Sequence, residues 1–116
     1  MTVKLMDRRY SNFTVEELRE EVASLKEQVQ KAEQWGNISE YAILERKMQM
    51  AAAYLLNPAD FEKGKEYELA GDPGQTFRIT YKNGVFAWGH RINLLGQVYE
   101  EEEAVPISIL GDKKEK

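Results

Sequence analysis

The sequence predicts an α+β protein in which an N-terminal antiparallel helical hairpin packs on a small C-terminal SH3-like β-barrel of about five strands. Three observations carry that prediction. Apolar residues from Leu18 to Leu55 recur at alternating spacings of four and three, the seam of helices that pack on one another. From Phe61 onward the pattern changes to short alternating runs separated by Gly, Pro and Asn. Asn83-Gly84 lies between two of those runs and marks a tight hairpin turn. At 116 residues the chain is long enough for one domain and short for two well-buried ones. It therefore reads as a single domain, with the helical hairpin over 12–57, the barrel over 61–110 and a disordered tail at 111–116.

The first helix starts at Thr14, whose hydroxyl is placed for the Glu17 amide while the Glu17 carboxylate reaches back, a capping box flanked by Phe13 and Leu18 as a hydrophobic staple. Its seam is Leu18, Val22, Leu25, Val29 and Ala32, and Glu27 with Lys31 forms an i,i+4 pair on the exposed side. Trp35-Gly36-Asn37 stops it: Gly36 suits the left-handed position and Asn37 caps the next helix, with Glu40 three residues on. The second seam is Tyr41, Leu44, Met48, Ala51 and Leu55, ending at Asn57-Pro58. So short a connection makes the two helices antiparallel. A further apolar row, Ile43, Met50 and Tyr54, cannot be covered by the first helix. The expectation is that it lies on the sheet, with Ala51-Ala52-Ala53 allowing close approach. The competing reading is a partner-facing surface, including a homodimer in which two hairpins form a four-helix bundle.

In the second half, Gly64 to Leu69 alternates as a strand and Asp72-Pro73-Gly74 is a turn. A type I′ turn at Asn83-Gly84 then sets Lys82 opposite Val85, Tyr81 opposite Phe86, Ile79 opposite Trp88 and Phe77 opposite His90. In that register Phe77, Ile79 and Tyr81 share a buried face, and Arg78, Thr80 and Lys82 share a polar one. A loop at Gly96 and a strand around Gln97 to Tyr99 lead to the run Glu100 to Glu103, read as solvated. Ala104 to Leu110 is the last strand, expected at an edge or broken by a bulge near Pro106, which cannot donate to a ladder.

Composition excludes several chemistries. The chain has no cysteine, which removes disulfides, thiol nucleophiles and thiolate metal sites and fits a reducing cytoplasm. The N-terminus lacks an apolar h-region and no long apolar run occurs, so export and membrane binding are not expected and the localisation expected is cytoplasmic. A net charge of −4, with the same balance in both halves, does not favour broad capture of nucleic acid. No phosphate-loop, dinucleotide, nucleophile-elbow or zincin motif occurs. His90 is the single histidine and reads as a structural side chain bonded to a loop carbonyl. Zinc held by one histidine and carboxylates would match the usual ligand sets poorly. The Glu16, Glu17, Glu20 and Glu21 cluster and Glu100 to Glu103 read as solvated faces. The expectation is a protein that is not an enzyme and takes no cofactor or metal.

Small barrels bind peptides or single strands through aromatic and basic side chains, so the binding candidates are Arg78, Lys82, Trp88, His90 and Arg91, with Tyr67 and Tyr99 beside them. Arg8 and Arg9, next to Tyr10, form a second small cationic cluster. The plainer reading of the sheet residues is an ordinary solvent face over a buried Trp88.

Arg9-Tyr10-Ser11, Lys31 to Gln34 followed by Gly36, Leu44 to Lys47, Ala53 to Pro58, Asn83 to Gly89 and Pro106 to Ser108 resemble the YfhH-like family of small proteins from spore-forming Gram-positive bacteria. The resemblance spans about Arg9 to Leu110, and Ala53 to Pro58 and Asn83 to Gly89 are its most specific strings. It implies a helical hairpin followed by an SH3-like barrel, with Arg91 to Glu103 longer and more acidic than the family pattern. For function it implies only the proposal that such proteins are transcriptional regulators, and it carries over no site residues. The leading expectation is thus a non-enzymatic cytoplasmic interaction or regulatory module that binds a protein partner. The alternative is a nucleic-acid-binding regulator using Arg78, Lys82, Arg91, Arg8 and Arg9. An enzyme built on an aromatic-lined pocket around His90 ranks third.

Overall fold

The computed structural model describes residues 9–114, and the chain divides into two compact units that meet in sequence at Leu55-Leu56. The first is the helical hairpin. Helix α1 spans Val15–Gln34 and helix α2 spans Ile38–Ala53. The capping box is formed: Thr14 Oγ1 accepts from the Glu17 amide at 3.1 Å, and Glu17 Oε1 accepts from the Thr14 amide at 2.9 Å. Gly36 takes a φ of +72° at the turn, and Asn37 Oδ1 accepts from the Glu40 amide at 3.1 Å to start α2. Leu18, Leu25, Val29, Ala32, Leu44 and Ala51 form the buried seam, with Phe13, Val22, Tyr41, Met48 and Leu55 packed on it. Among the described residues no helix is long and apolar enough to cross a membrane.

The second unit is a five-stranded antiparallel sheet. Its strands are β1 Glu66–Leu69, β2 Gln75–Asn83, β3 Phe86–Asn93, β4 Glu103–Pro106 and β5 Leu110–Lys113, in spatial order β4-β3-β2-β1-β5. Tyr67, Phe77, Ile79, Ala87, Val105 and Ile107 are buried in it. As Pro106 requires, β4 is an edge strand. The expected last strand breaks after Pro106 into a 3-10 turn, Ile107–Ile109, which buries Ile107. Residues 111–113 belong to β5 rather than to a disordered tail. They pair with β1 through Tyr67↔Lys113, because β1 would otherwise present an unpaired edge. Glu115 and Lys116 lie outside the described residues. In place of a strand around Gln97 to Tyr99 there is one bridge, Ile92↔Val98, beyond a loop in which Asn93 Oδ1 accepts from the Leu95 and Gln97 amides.

The β2–β3 register also differs from the expected one. Asn83 pairs with Phe86, Lys82 with Ala87 and Tyr81 with Trp88, while beyond an irregularity between Ile79 and Tyr81 the pairs are Ile79↔Gly89, Arg78↔His90 and Phe77↔Arg91. The loop is Gly84-Val85, with Gly84 at φ +62° and no non-glycine residue at positive φ, so the type I′ turn does not form. A glycine in the first central position is what a II′ turn uses. The extra residue, Thr80, makes a bulge that reverses the facing of everything between it and the turn. Tyr81 therefore leaves the core face, and Lys82 leaves the polar one.

Candidate functional site

Two surfaces bring together residues that can recognise a partner, one in each unit. On the hairpin, Ile43, Arg46, Lys47, Met50 and Tyr54 follow one stripe of α2, at helical spacings of three and four. Together with Arg9 and Tyr10, which precede α1, they line a groove of about 510 Å³. Its floor is apolar. Ile43 keeps 62% of its surface exposed, while Met50 and Tyr54 are half-buried. Arg46 and Lys47 sit between Ile43 and Met50, so their methylene stems can add to the apolar wall while their charges stand at the rim. Among the described residues, Arg9, Arg46 and Lys47 make no ion pair.

Tyr10 holds one wall of the groove. Its ring meets Phe13 edge to face at 5.2 Å, and its hydroxyl donates to Glu21 Oε2 at 2.8 Å. Burial first, and then the Glu21 carboxylate, push its pKa up to about 12. The phenol is therefore kept protonated, as a donor fixed to α1.

The second surface is the outer face of the sheet. Tyr81 and Trp88 stack in parallel across β2 and β3, with centroids 5.7 Å apart and planes 4° apart, and Tyr81 is 42% exposed. Two residues along β3, His90 lies opposite Arg78. Its Nδ1 is 2.9 Å from the main-chain oxygen of Tyr99, so the ring ties the 94–99 loop to the strand. The Arg78 side chain is exposed and makes no hydrogen bond or ion pair among the described residues. Glu66 lies directly opposite it on β1, with Glu68 next along that face.

Of the sheet candidates read from sequence, Arg78, Trp88 and His90 share this face. Lys82 and Arg91 do not, since both are turned to the other side and held there. Lys82 Nζ donates to the Pro58 carbonyl at 2.6 Å. Arg91 Nε donates to Glu103 Oε2 at 2.6 Å, and its Nη1 donates to Asp72 Oδ2 at 3.2 Å and Gln75 Oε1 at 3.0 Å. The Glu103 hydrogen bond leads the causes that raise the Arg91 pKa above its ordinary value, so this cation braces the sheet end. Tyr67 is buried, with its hydroxyl accepting from the Glu62 amide at 2.7 Å. Tyr99 is partly exposed, and its hydroxyl accepts from Gln75 Nε2 at 2.8 Å. Arg9 lines the hairpin groove, and Arg8 lies outside the described residues. Among the described residues no three His, Asp or Glu side chains converge as a metal site.

Sequence reasoning singled out Ile43, Met50 and Tyr54 but missed Arg46, Lys47 and Tyr10 as their neighbours, and missed Tyr81 as the partner of Trp88. Arg46 and Lys47 stand three and four residues after Ile43, and that spacing was the available signal. For Tyr81 there was none, because its facing depends on the bulge.

The profile of a family described as protein of unknown function, DUF1811, matches residues 8–111. The chain is also similar to the protein described as uncharacterized protein YfhH of Bacillus subtilis (strain 168). The two are 49% identical over 109 residues, which is 94% of this chain and 100% of that relative.

Proposed function

We propose that this chain, which belongs to the DUF1811 family, is a non-enzymatic binding module of the cytoplasm that recognises a protein partner through the α2 groove. One observation carries the reading. Ile43, at 62% exposure, stands in a row with Met50 and Tyr54 along a groove of about 510 Å³. An apolar row in a concave, cation-rimmed setting is the form in which helical surfaces receive another chain. The residues that bear on chemistry also support it. Tyr10 is held protonated, and the His90 ring is engaged by a main-chain oxygen.

We also infer that the sheet curls into a half-open, SH3-like barrel. Laid flat, five strands would separate β4 and β5 by about 19 Å. The four steps from Pro106 to Leu110 reach about 14 Å even when fully extended. The two edge strands can be joined so briefly only if the sheet bends round toward closure.

The test is a photo-crosslinking side chain at position 43 of the full-length protein in its host, with Lys26 on the exposed side of α1 as control. The expected result is one discrete adduct at 43, absent at 26 and lost when Met50→Glu is added. An adduct at both positions, or at neither, overturns the reading.

Nucleic acid is the second reading, favoured by the Tyr81–Trp88 stack beside Arg78. Glu66 and Glu68 on the same face weigh against phosphate binding there. If that face did bind nucleic acid, affinity for single-stranded RNA or DNA would fall steeply with salt and vanish in Arg78→Glu.

A further inference from the structure

We infer that the α2 groove takes an amphipathic helix with acidic flanks, a deepening that rests on the protein-partner reading above. Three observations select this occupant. The first is shape. The apolar anchors run from Ile43 through Met50 to Tyr54, the residue that caps the C-terminus of α2, a rise of about 16 Å, which a partner helix of about three turns would match with its own i, i+4 and i+7 residues.

The second is charge. Arg9, Arg46 and Lys47 border the groove without an acidic partner among the described residues, in a chain whose net charge is −4. A cluster of unpaired cations around an apolar strip favours a ligand carrying carboxylates beside its apolar anchors. Such complementarity guides register and approach as well as affinity.

The third is what the same charges disfavour. A second copy laid antiparallel on this stripe would bring Arg46 and Lys47 of both chains together near the two-fold axis, a like-charge contact. The chain's own residues 1–8 carry Lys4 and Arg8 against Asp7, so they bring the same sign of charge as the rim.

The test uses the full chain and two fluorescent 16-residue helical peptides with identical Leu anchors, one carrying Glu and the other Lys at every flanking position. Fluorescence anisotropy at low salt should show the Glu peptide binding at least about tenfold more tightly, with the gap shrinking as salt is raised. Ile43→Asp should weaken the Glu peptide at least about tenfold. The double charge reversal Arg46→Glu with Lys47→Glu should invert the preference between the peptides. All three residues are exposed or border the groove, and circular dichroism checks that each variant keeps its helices; Arg46→Ala with Lys47→Ala serves as a neutral second variant, expected to erase the preference without inverting it. Equal binding of both peptides, lost in Ile43→Asp, overturns the acidic assignment and leaves the groove reading standing. Binding of neither peptide, a dimer of the unliganded chain that Ile43→Asp dissociates, or a preference for the Lys peptide also overturns it, and the crosslink at position 43 then judges the groove separately.

Discussion

At Gly89 the backbone of β2 leaves no room for a side chain on β3. A Cβ built there would overlap the Arg78 carbonyl oxygen and lie 2.9 Å from its carbonyl carbon and 3.1 Å from the Ile79 Cα. These are backbone atoms that cannot swing aside, so Gly89→Ala is expected to cost about 3 kcal/mol or more in urea unfolding. A cost near zero would mean the strands are farther apart than described. Tyr10 gives a pH dependence. Its pKa rises from 10.0 to about 12 on folding, chiefly by burial and then through Glu21. The folded state therefore holds the proton more tightly than the unfolded one. That contribution is complete below pH 10 and is lost as pH rises to about 12. Tyr10→Phe should remove this component, so that the variant's stability falls less steeply across that window when helix content is followed.

In the helices, local chemistry and tertiary packing agree. The capping box at Thr14 satisfies two amide groups at the start of α1, and Thr14→Ala is expected to cost about 1 kcal/mol of stability in thermal or urea unfolding. Leu18, Leu25, Val29 and Ala32 could be read as the buried seam because a helix repeats its own geometry every turn, whatever lies beyond it. The β2–β3 hairpin is different. Because Gly84 is the one residue of this turn with a positive φ, Gly84→Ala should cost about 1 kcal/mol or more, while Asn83→Ala should change stability by less than about 0.5 kcal/mol. A type I′ turn would make both substitutions costly, so the pair of measurements separates the two turns. One inserted residue at Thr80 moved Tyr81 onto the outer face beside Trp88, and alternation in the sequence carries no mark of such an insertion.

Across the chain, charge and edges are arranged to limit unwanted pairing. Edge strand β4 carries Pro106 and begins at Glu103, the last residue of the acidic run from Glu100, and edge strand β5 ends in Asp112 and Lys113. The length-based expectation of one cooperative unit is a statement about unfolding, and Trp88 fluorescence checks it in a Trp35→Phe background, which removes the tryptophan of the hairpin. If it holds, Leu25→Ala in the hairpin should shift the transition followed at Trp88 to the same midpoint as the helical signal. Two separate midpoints would show the units unfolding independently.

Although α2 ends at Ala53, short of the Asn57-Pro58 stop expected, the helix starts, the hairpin seam, the edge position of the proline strand and the unmatched apolar row on α2 were legible from sequence alone. Each depends on local periodicity or on the stereochemistry of a single residue type. The strand register, the engagement of Lys82 and Arg91, the pairing of Tyr81 with Trp88, and the meeting of Arg9 and Tyr10 with Arg46 and Lys47 were decided only in three dimensions. Each of these depends on where distant segments come to rest, and one extra strand residue or one turn geometry changes the outcome while leaving the local pattern intact.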